Sequence, residues 1–158
     1  MISSSEYGKL LLWEGNLIKS VIGIDENTPC HEGNIEFVKL VKEKVVTAGA
    51  DGYIRFWDYL TMNQGESDEK FNFYLKPEKE IKFEDAHLLW IDMCDDFWIV
   101  QDALGKLWKY DIQTDNRTLI MKFNSGKFND FALSPLNNCL ITVGFDGYVR
   151  LWDYGSKR

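Results

Sequence analysis

The chain writes one phrase twice, ADGYIRFWDY at 50–59 and FDGYVRLWDY at 145–154, with fainter copies EYGKLLLWEG at 6–15 and ALGKLWKYDI at 103–112. With the glycines aligned, one aromatic position is filled by Trp13, Trp57, Tyr110 and Trp152, giving steps of 44, 53 and 42 residues. A period of this length is the mark of a stack of similar supersecondary units, each burying its apolar face on its neighbours. It points to interaction and not to catalysis.

Within the best-defined unit, His31 to Tyr59, the run at 35–41 reads as an inner strand with Ile35, Phe37 and Leu40, and the run at 44–49 as a second. Ala50, Asp51 and Gly52 make a tight turn in which Gly52 can take a positive φ. The third strand, 53–59, places Tyr53, Arg55 and Trp57 on one face and Ile54 and Phe56 on the other. Neither face is wholly polar, as expected of a sheet packed between two others. The last unit repeats the order through Phe128, Phe131, Leu133, a Ser134–Asn137 turn, the strand at 139–144 and the Asp146-Gly147 turn. A degenerate unit lies between them, with strands opened by Trp90, Ile91 and Met93, then at 97–102, then from Gly105 to Asp111; Leu104 stands where Asp51 would. Outer strands are expected at 17–22, 71–75 and 118–123. The acidic stretch 61–70 and the segment 76–80 are expected as loops projecting from the rim, with no amphipathic helix.

A chain of 158 residues, 45% hydrophobic and 15% aromatic, can bury a real core, so disorder is a poor reading. The net charge of −7 leaves no basic surface for nucleic acid, and no run approaches a membrane span. The start, MISSSEYGKLLLW, lacks the basic region and apolar length of a signal peptide. Cys30, Cys94 and Cys139 form neither a metal pair nor a disulfide framework, and read as reduced core or semi-core thiols of an intracellular protein. No nucleotide, esterase or zinc-protease motif is present. No catalytic residue, cofactor or metal site is expected.

Asp51 and Asp146 precede turn glycines, where a carboxylate accepts backbone hydrogen bonds. His31 lies 26 residues before Trp57, a separation that can return it to the same sheet for a buried hydrogen-bond chain, and His87 lies 23 before Tyr110. At the matching place in the last unit stands Asn124. The regular placement of Trp57, Tyr110 and Trp152 argues for packing with a hydrogen-bonding ring edge. Trp90, Trp98 and Trp108 break the pattern and are the candidate partner-binding anchors, with core placement as the competing reading. Asp92, Asp95 and Asp96 lack calcium-loop spacing and read as a solvated face.

TAGADGYIRFWD and TVGFDGYVRLWD closely resemble the strand–turn–strand signature of WD40 repeats. The resemblance implies an all-β fold of β-propeller blades, approximately 1–22, 31–75, 86–123 and 124–154, forming a partial propeller of about three and a half blades at ~40–45 residues each. In that family the third strand carries the tryptophan (Trp13, Trp57, Trp152, with Tyr110 as variant). The turn aspartate matches Asp51 and Asp146, the turn glycines Gly52, Gly105 and Gly147, and the blade-entrance histidine His31 and His87. The family often has Ser or Thr two residues before the turn aspartate, where this chain has Gly49 and Gly144, so the usual histidine–serine–aspartate–tryptophan network is expected to be interrupted.

More specifically, SSEYGKLLLWEGNLIK, PCHEGNIEF and QDALGKLWKYD resemble a stretch of the large WD-repeat cilia- and flagella-associated proteins of the inner-arm dynein tether and tether-head complex. That resemblance spans Ser3 to Asp153. It implies a non-enzymatic scaffold in the cytoplasm and cytoskeleton, in the axoneme of a cilium or flagellum. Its partners would be a related WD-repeat subunit, inner-arm dynein and doublet-microtubule components. The first repeat is expected to begin at its third strand, so the propeller would be completed by other blades or chains. Two alternatives stay open: a generic intracellular adaptor that binds a protein or peptide, and an atypical hydrolase using Asp51 or His31.

Overall fold

A computed structural model describes residues 1–83, 87–94, 96–122, 128–134, 139–144 and 147–153. The period-2 runs become strands and the glycine turns become hairpins, so the fold is all-β and its strands sort into four sheets. The chain divides into two compact units, Met1–Leu89 and Trp90–Arg158.

In the first unit, one sheet is built from β1 (Ile2–Ser4), β2 (Leu10–Glu14), β3 (Leu17–Asp25) and β4 (Thr28–Pro29). A second sheet runs in the order β5 (Ile35–Val41), β6 (Lys44–Gly49), β7 (Tyr53–Asp58) and β9 (Lys79–Lys82). Leu10, Leu12 and Ile22 of the first sheet form one buried cluster with Ile35, Val45 and Trp57 of the second, together with Cys30 and Met62. The second unit carries a sheet of β10 (Leu88–Met93, which starts just ahead of the unit boundary), β11 (Phe97–Asp102), β12 (Lys106–Asp111) and β13 (Arg117–Lys122). It also carries a three-stranded sheet of β14 (Phe128–Ser134), β15 (Cys139–Gly144) and β16 (Val149–Asp153). Ile99 and Leu107 of the former cluster with Phe131 and Leu140 of the latter. Within each unit the sheets pack face to face as WD40-type blades do, most of them with the four antiparallel strands of such a blade.

Three expectations fail. The first repeat does not begin at its third strand, because β1 pairs antiparallel with β2, Ile2 opposite Leu12 and Ser4 opposite Leu10. The segment at 71–75 does not complete the second sheet: β8 (Asn72–Tyr74) runs parallel to β3 in the first sheet, and the residues read as a loop after it supply β9, which pairs with β7. Nor is 61–70 a wholly projecting loop. Asp58 caps a short helix α1 (Tyr59–Gln64) by accepting from the Thr61 backbone N–H, and this helix inserts Met62 into the cluster between the two sheets. Phe73 and Leu75 pack on the same cluster. Burying three apolar side chains outweighs continuing directly along the second sheet, so the segment straps the two sheets together before returning as β9.

The turns repeat in detail. Gly8, Gly52, Gly105 and Gly147 have φ of 76°, 76°, 80° and 80°, and each donates its N–H to the carbonyl three residues earlier. Each turn is closed by a residue in the left-handed region, which favours glycine. Their surroundings differ. A Cβ on Gly8 would lie 1.8 Å from the His31 carbonyl oxygen, where the first sheet's turn abuts the second, while one on Gly147 would meet nothing within 4 Å. Gly147→Ala should therefore cost only the left-handed strain of about 1–2 kcal/mol, and Gly8→Ala clearly more. Chemical denaturation of the two variants checks this, and equal losses would contradict it.

Candidate functional site: the repeated tryptophan–hydroxyl pair

In each blade hairpin the aromatic residue, five after the turn glycine, stands opposite the residue seven before it and diagonal, on the same face, to the residue five before it. In three sheets that diagonal residue carries a hydroxyl. Trp13 Nε1 donates to Ser3 Oγ at 2.8 Å, Trp57 Nε1 to Thr47 Oγ1 at 2.9 Å and Trp152 Nε1 to Thr142 Oγ1 at 2.9 Å. In the third sheet both halves change together. Val100 fills the hydroxyl position, and the aromatic is Tyr110, whose hydroxyl donates to Asp115 instead.

The expected interruption of the histidine–aspartate–tryptophan network is thus corrected. Thr47, four residues before Asp51, supplies the hydroxyl that Gly49 lacks. Gly49 itself has no room for a side chain, since a Cβ there would lie 2.3 Å from the Asn34 carbonyl oxygen, which accepts from the Ala50 N–H at 2.9 Å. His31 completes the chain, with Nε2 2.6 Å from Thr47 Oγ1 and Nδ1 2.8 Å from Asp51 Oδ1. An indole N–H can only donate. Thr47 therefore accepts from Trp57 and turns its own proton to His31 Nε2, and Nδ1–H donates to Asp51. Arg55 then donates to Asp51 Oδ2 at 2.7 Å and to Glu80 at 2.9 Å, while Asp51 also accepts from the Glu32 and Tyr53 backbone N–H groups.

Both ring nitrogens of His31 are engaged and the residue is buried. Burial pushes its pKa below the ordinary value, against the opposing pull of Asp51. Burial would raise the Asp51 pKa, but the hydrogen bonds and charges of His31 and Arg55 outweigh it and hold the carboxyl well below the usual carboxylate range. These two residues brace a blade. Their polar atoms are engaged within the blade, which favours the structural role over a hydrolase site.

In the third sheet the turn carboxylate is Asp102, which the sequence reading missed by fixing on Leu104 in the Asp51 position. Asp102 is buried and accepts from the Leu104 and Lys106 backbone N–H groups at 2.9 and 3.0 Å and from Trp108 Nε1 at 3.1 Å. The signal was a carboxylate three residues before the turn glycine, the place where Ser5 accepts from Lys9 N–H in the first sheet. His87 does not enter a buried chain with Tyr110; its Nε2 pairs with Glu36 at 2.9 Å on a partly exposed surface.

Trp98 and Trp108 are 5% and 8% exposed, the former tilted against Tyr110 with ring centroids 5.8 Å apart, whereas Trp90 is 48% exposed. Of the three candidate anchors, Trp90 is the one whose surface is substantially exposed. Asp146, Asn124 and Asp95 lie outside the described residues. Among the described residues no group of three or more His, Cys, Asp or Glu side chains is arranged to hold a metal ion. The three cysteines are free thiols; Cys30 is buried, donates to the Ile22 carbonyl at 3.2 Å, and has its pKa pushed up to about 12 by burial.

Two outcomes follow from the network. Trp57→Ala should cost about 3–5 kcal/mol through lost packing. Thr47→Val, nearly isosteric, should cost about 1–3 kcal/mol by stranding the buried Trp57 and His31 groups. Denaturant unfolding reads both, and a neutral Thr47→Val would remove the network's role. The second outcome concerns pH. His31 in the folded chain binds fewer protons than in the unfolded chain, so its contribution is full above about pH 6.5 and is lost as pH falls through its lowered pKa. Asp51, also lowered, adds loss in the same direction below about pH 4. Melting temperature should drop on acidification from neutral pH, less steeply in His31→Gln; an equal slope in that variant would contradict the assignment.

A family model for the WD domain, G-beta repeat, matches residues 117–153. Along 99% of its length the chain is 34% identical to Cilia- and flagella-associated protein 44 of Mus musculus, and it is 31% identical over 100% of its length to the protein of that name in Trypanosoma brucei brucei. The Chlamydomonas reinhardtii protein of that name is 30% identical over 99% of the chain. The chain spans only 9%, 11% and 10% of these relatives' lengths. Among solved structures, the WD40 β-propeller domain of Doa1 superposes with a TM-score of 0.66 at 18% identity, covering 99% of this chain and 47% of that one. The computationally designed Ika4 protein gives 0.64 at 14% identity, covering 98% and 84%. Signature, turn geometry, tryptophan network and these similarities agree: the chain carries a WD40 repeat, folds as WD40-type β-propeller blades, and is similar along its length to a segment of the cilia- and flagella-associated proteins 44.

Proposed function

We propose that the chain is a non-enzymatic docking scaffold of the ciliary or flagellar axoneme that helps tether an inner-arm dynein to the doublet microtubule. The observation that carries this reading is the end-to-end similarity to cilia- and flagella-associated proteins from three organisms. The physical character of the chain supports it. WD40 blades are rigid, non-catalytic platforms, and here the polar residues that might have done chemistry are held in bracing networks. Its partners are other WD-repeat and axonemal proteins, including a related WD-repeat subunit, inner-arm dynein and doublet-microtubule components. Trp90, an exposed aromatic on β10, is the anchor offered to them.

A tagged chain expressed in ciliated cells should stay with detergent-extracted axonemes and co-purify with inner-arm dynein. Trp90→Ala should lower that retention while the melting temperature holds. Recovery only in the soluble fraction, indifferent to Trp90, would contradict the axonemal reading and favour a generic intracellular adaptor.

A further inference from the structure

The segment that straps the first two sheets together is held shut against two costs built into its own closure. Its grip is apolar, through Met62, Phe73 and Leu75 on the cluster between the sheets. The polar ties to β3 are few. Ser67 Oγ donates to the Lys19 carbonyl at 3.0 Å, and Lys19 Nζ donates to the Asn63 carbonyl. The Val21 N–H donates to the Phe71 carbonyl at 2.6 Å, and the Leu75 N–H to the Gly23 carbonyl at 3.0 Å. The elements between these ties are short, six residues in α1 and three in β8.

The first cost lies beneath the strap. Ser20 on β3 is 0% exposed, and its hydroxyl has no hydrogen-bond partner among the described residues. It stands opposite Leu12 and two residues before Ile22, so it shares with them the face that looks onto the strapped cluster. Both of its chain neighbours, Lys19 and Val21, are bonded to the strap. A buried, unpaired hydroxyl forfeits its hydrogen bonds to water. The second cost lies in the strap itself. Phe71, directly ahead of β8, has a φ of 65°, left-handed backbone that a bulky residue adopts only under constraint. The constraint is visible: its N–H donates to the Asp68 carbonyl at 3.0 Å while its carbonyl accepts from Val21. Its ring gains little cover in return, being 56% exposed.

We propose that the strap is a two-state cover of the outer edge of the first sheet, opening as one unit while the strands of both sheets stay paired. Closed, β8 fills the edge of β3 at Val21–Gly23. Opening hydrates the Ser20 hydroxyl, lets Phe71 relax to negative φ, and releases the Val21 N–H and the Gly23 carbonyl from the strap. β3 then presents an edge to which an extended strand can add. The orphaned hydroxyl and the strained backbone set the free energy of this opening below that of unfolding the blades. The device stands apart from the axonemal reading, since it is a property of the purified chain.

Amide hydrogen exchange of the 158-residue chain, followed by nuclear magnetic resonance, tests it. After correction for intrinsic rates, the Val21, Gly65, Phe71 and Leu75 amides should exchange about tenfold or more faster than the amides bonded between β6 and β7. Ser20→Ala and Phe71→Asn each remove one cost, since alanine needs no partner and asparagine tolerates left-handed backbone. Each should slow exchange of the strap amides about fivefold or more. Strap amides protected as well as those between β6 and β7 would overturn the proposal. So would strap exchange that either substitution leaves unchanged or accelerates.

Discussion

A tryptophan indole N–H donated to a hydroxyl ten residues earlier holds each regular blade of this chain together. A buried indole left unpaired carries a desolvation penalty, so the bond fixes the register of the hairpin as well as strengthening it. A one-residue slip would separate the pair and turn every apolar side chain to the opposite face. Once the register is set, the indole faces the preceding sheet, where Trp57 is fully buried among Leu10, Leu12 and Val45. The third sheet supports the same logic by exception. Where the aromatic is Tyr110, the hydroxyl ten residues before it has become Val100, and the phenol finds Asp115. Donor and acceptor change as a pair.

Much of this was legible in the sequence because it is local. Period-2 runs gave the strands at 35–41, 44–49, 97–102 and 139–144, and the repeated glycines marked turns that all have positive φ. The hydroxyl partner lies two residues ahead of Gly49, the position beside the turn where the Asn34 carbonyl leaves no space for a side chain. The ten-residue spacing from Ser3 to Trp13, Thr47 to Trp57 and Thr142 to Trp152 was in plain view. The route of β8 was not. An outer strand for the first sheet and one for the second have the same local pattern, and the choice between them rests on Met62, Phe73 and Leu75 reaching a core built by residues far away in sequence. Trp98 and Trp108 were ambiguous for a similar reason, since an aromatic in a strand looks alike whether its face is covered or bare.

The same placement explains why the chain reads as a platform. His31, Asp51, Thr47 and Arg55 would be a suggestive set in a cleft, but each spends its hydrogen-bonding capacity on another member or on the backbone. Rigidity is what the set produces. A rigid stack with both sheet faces apolar has the properties of a docking surface, because little ordering is needed when a partner arrives. On the proposed reading, Trp90 on β10, 48% exposed, is the point such a platform would offer a partner.

The pairing of Thr47 with Trp57 is the claim on which the rest turns, and a double-mutant cycle measures it directly. Thr47→Val and Trp57→Phe each remove one end of the bond. The account predicts that Thr47→Val costs measurably less in the Trp57→Phe background than in the wild type, with a coupling of about 0.5 kcal/mol or more. Strictly additive losses in unfolding free energy would contradict it and leave blade register to apolar packing alone.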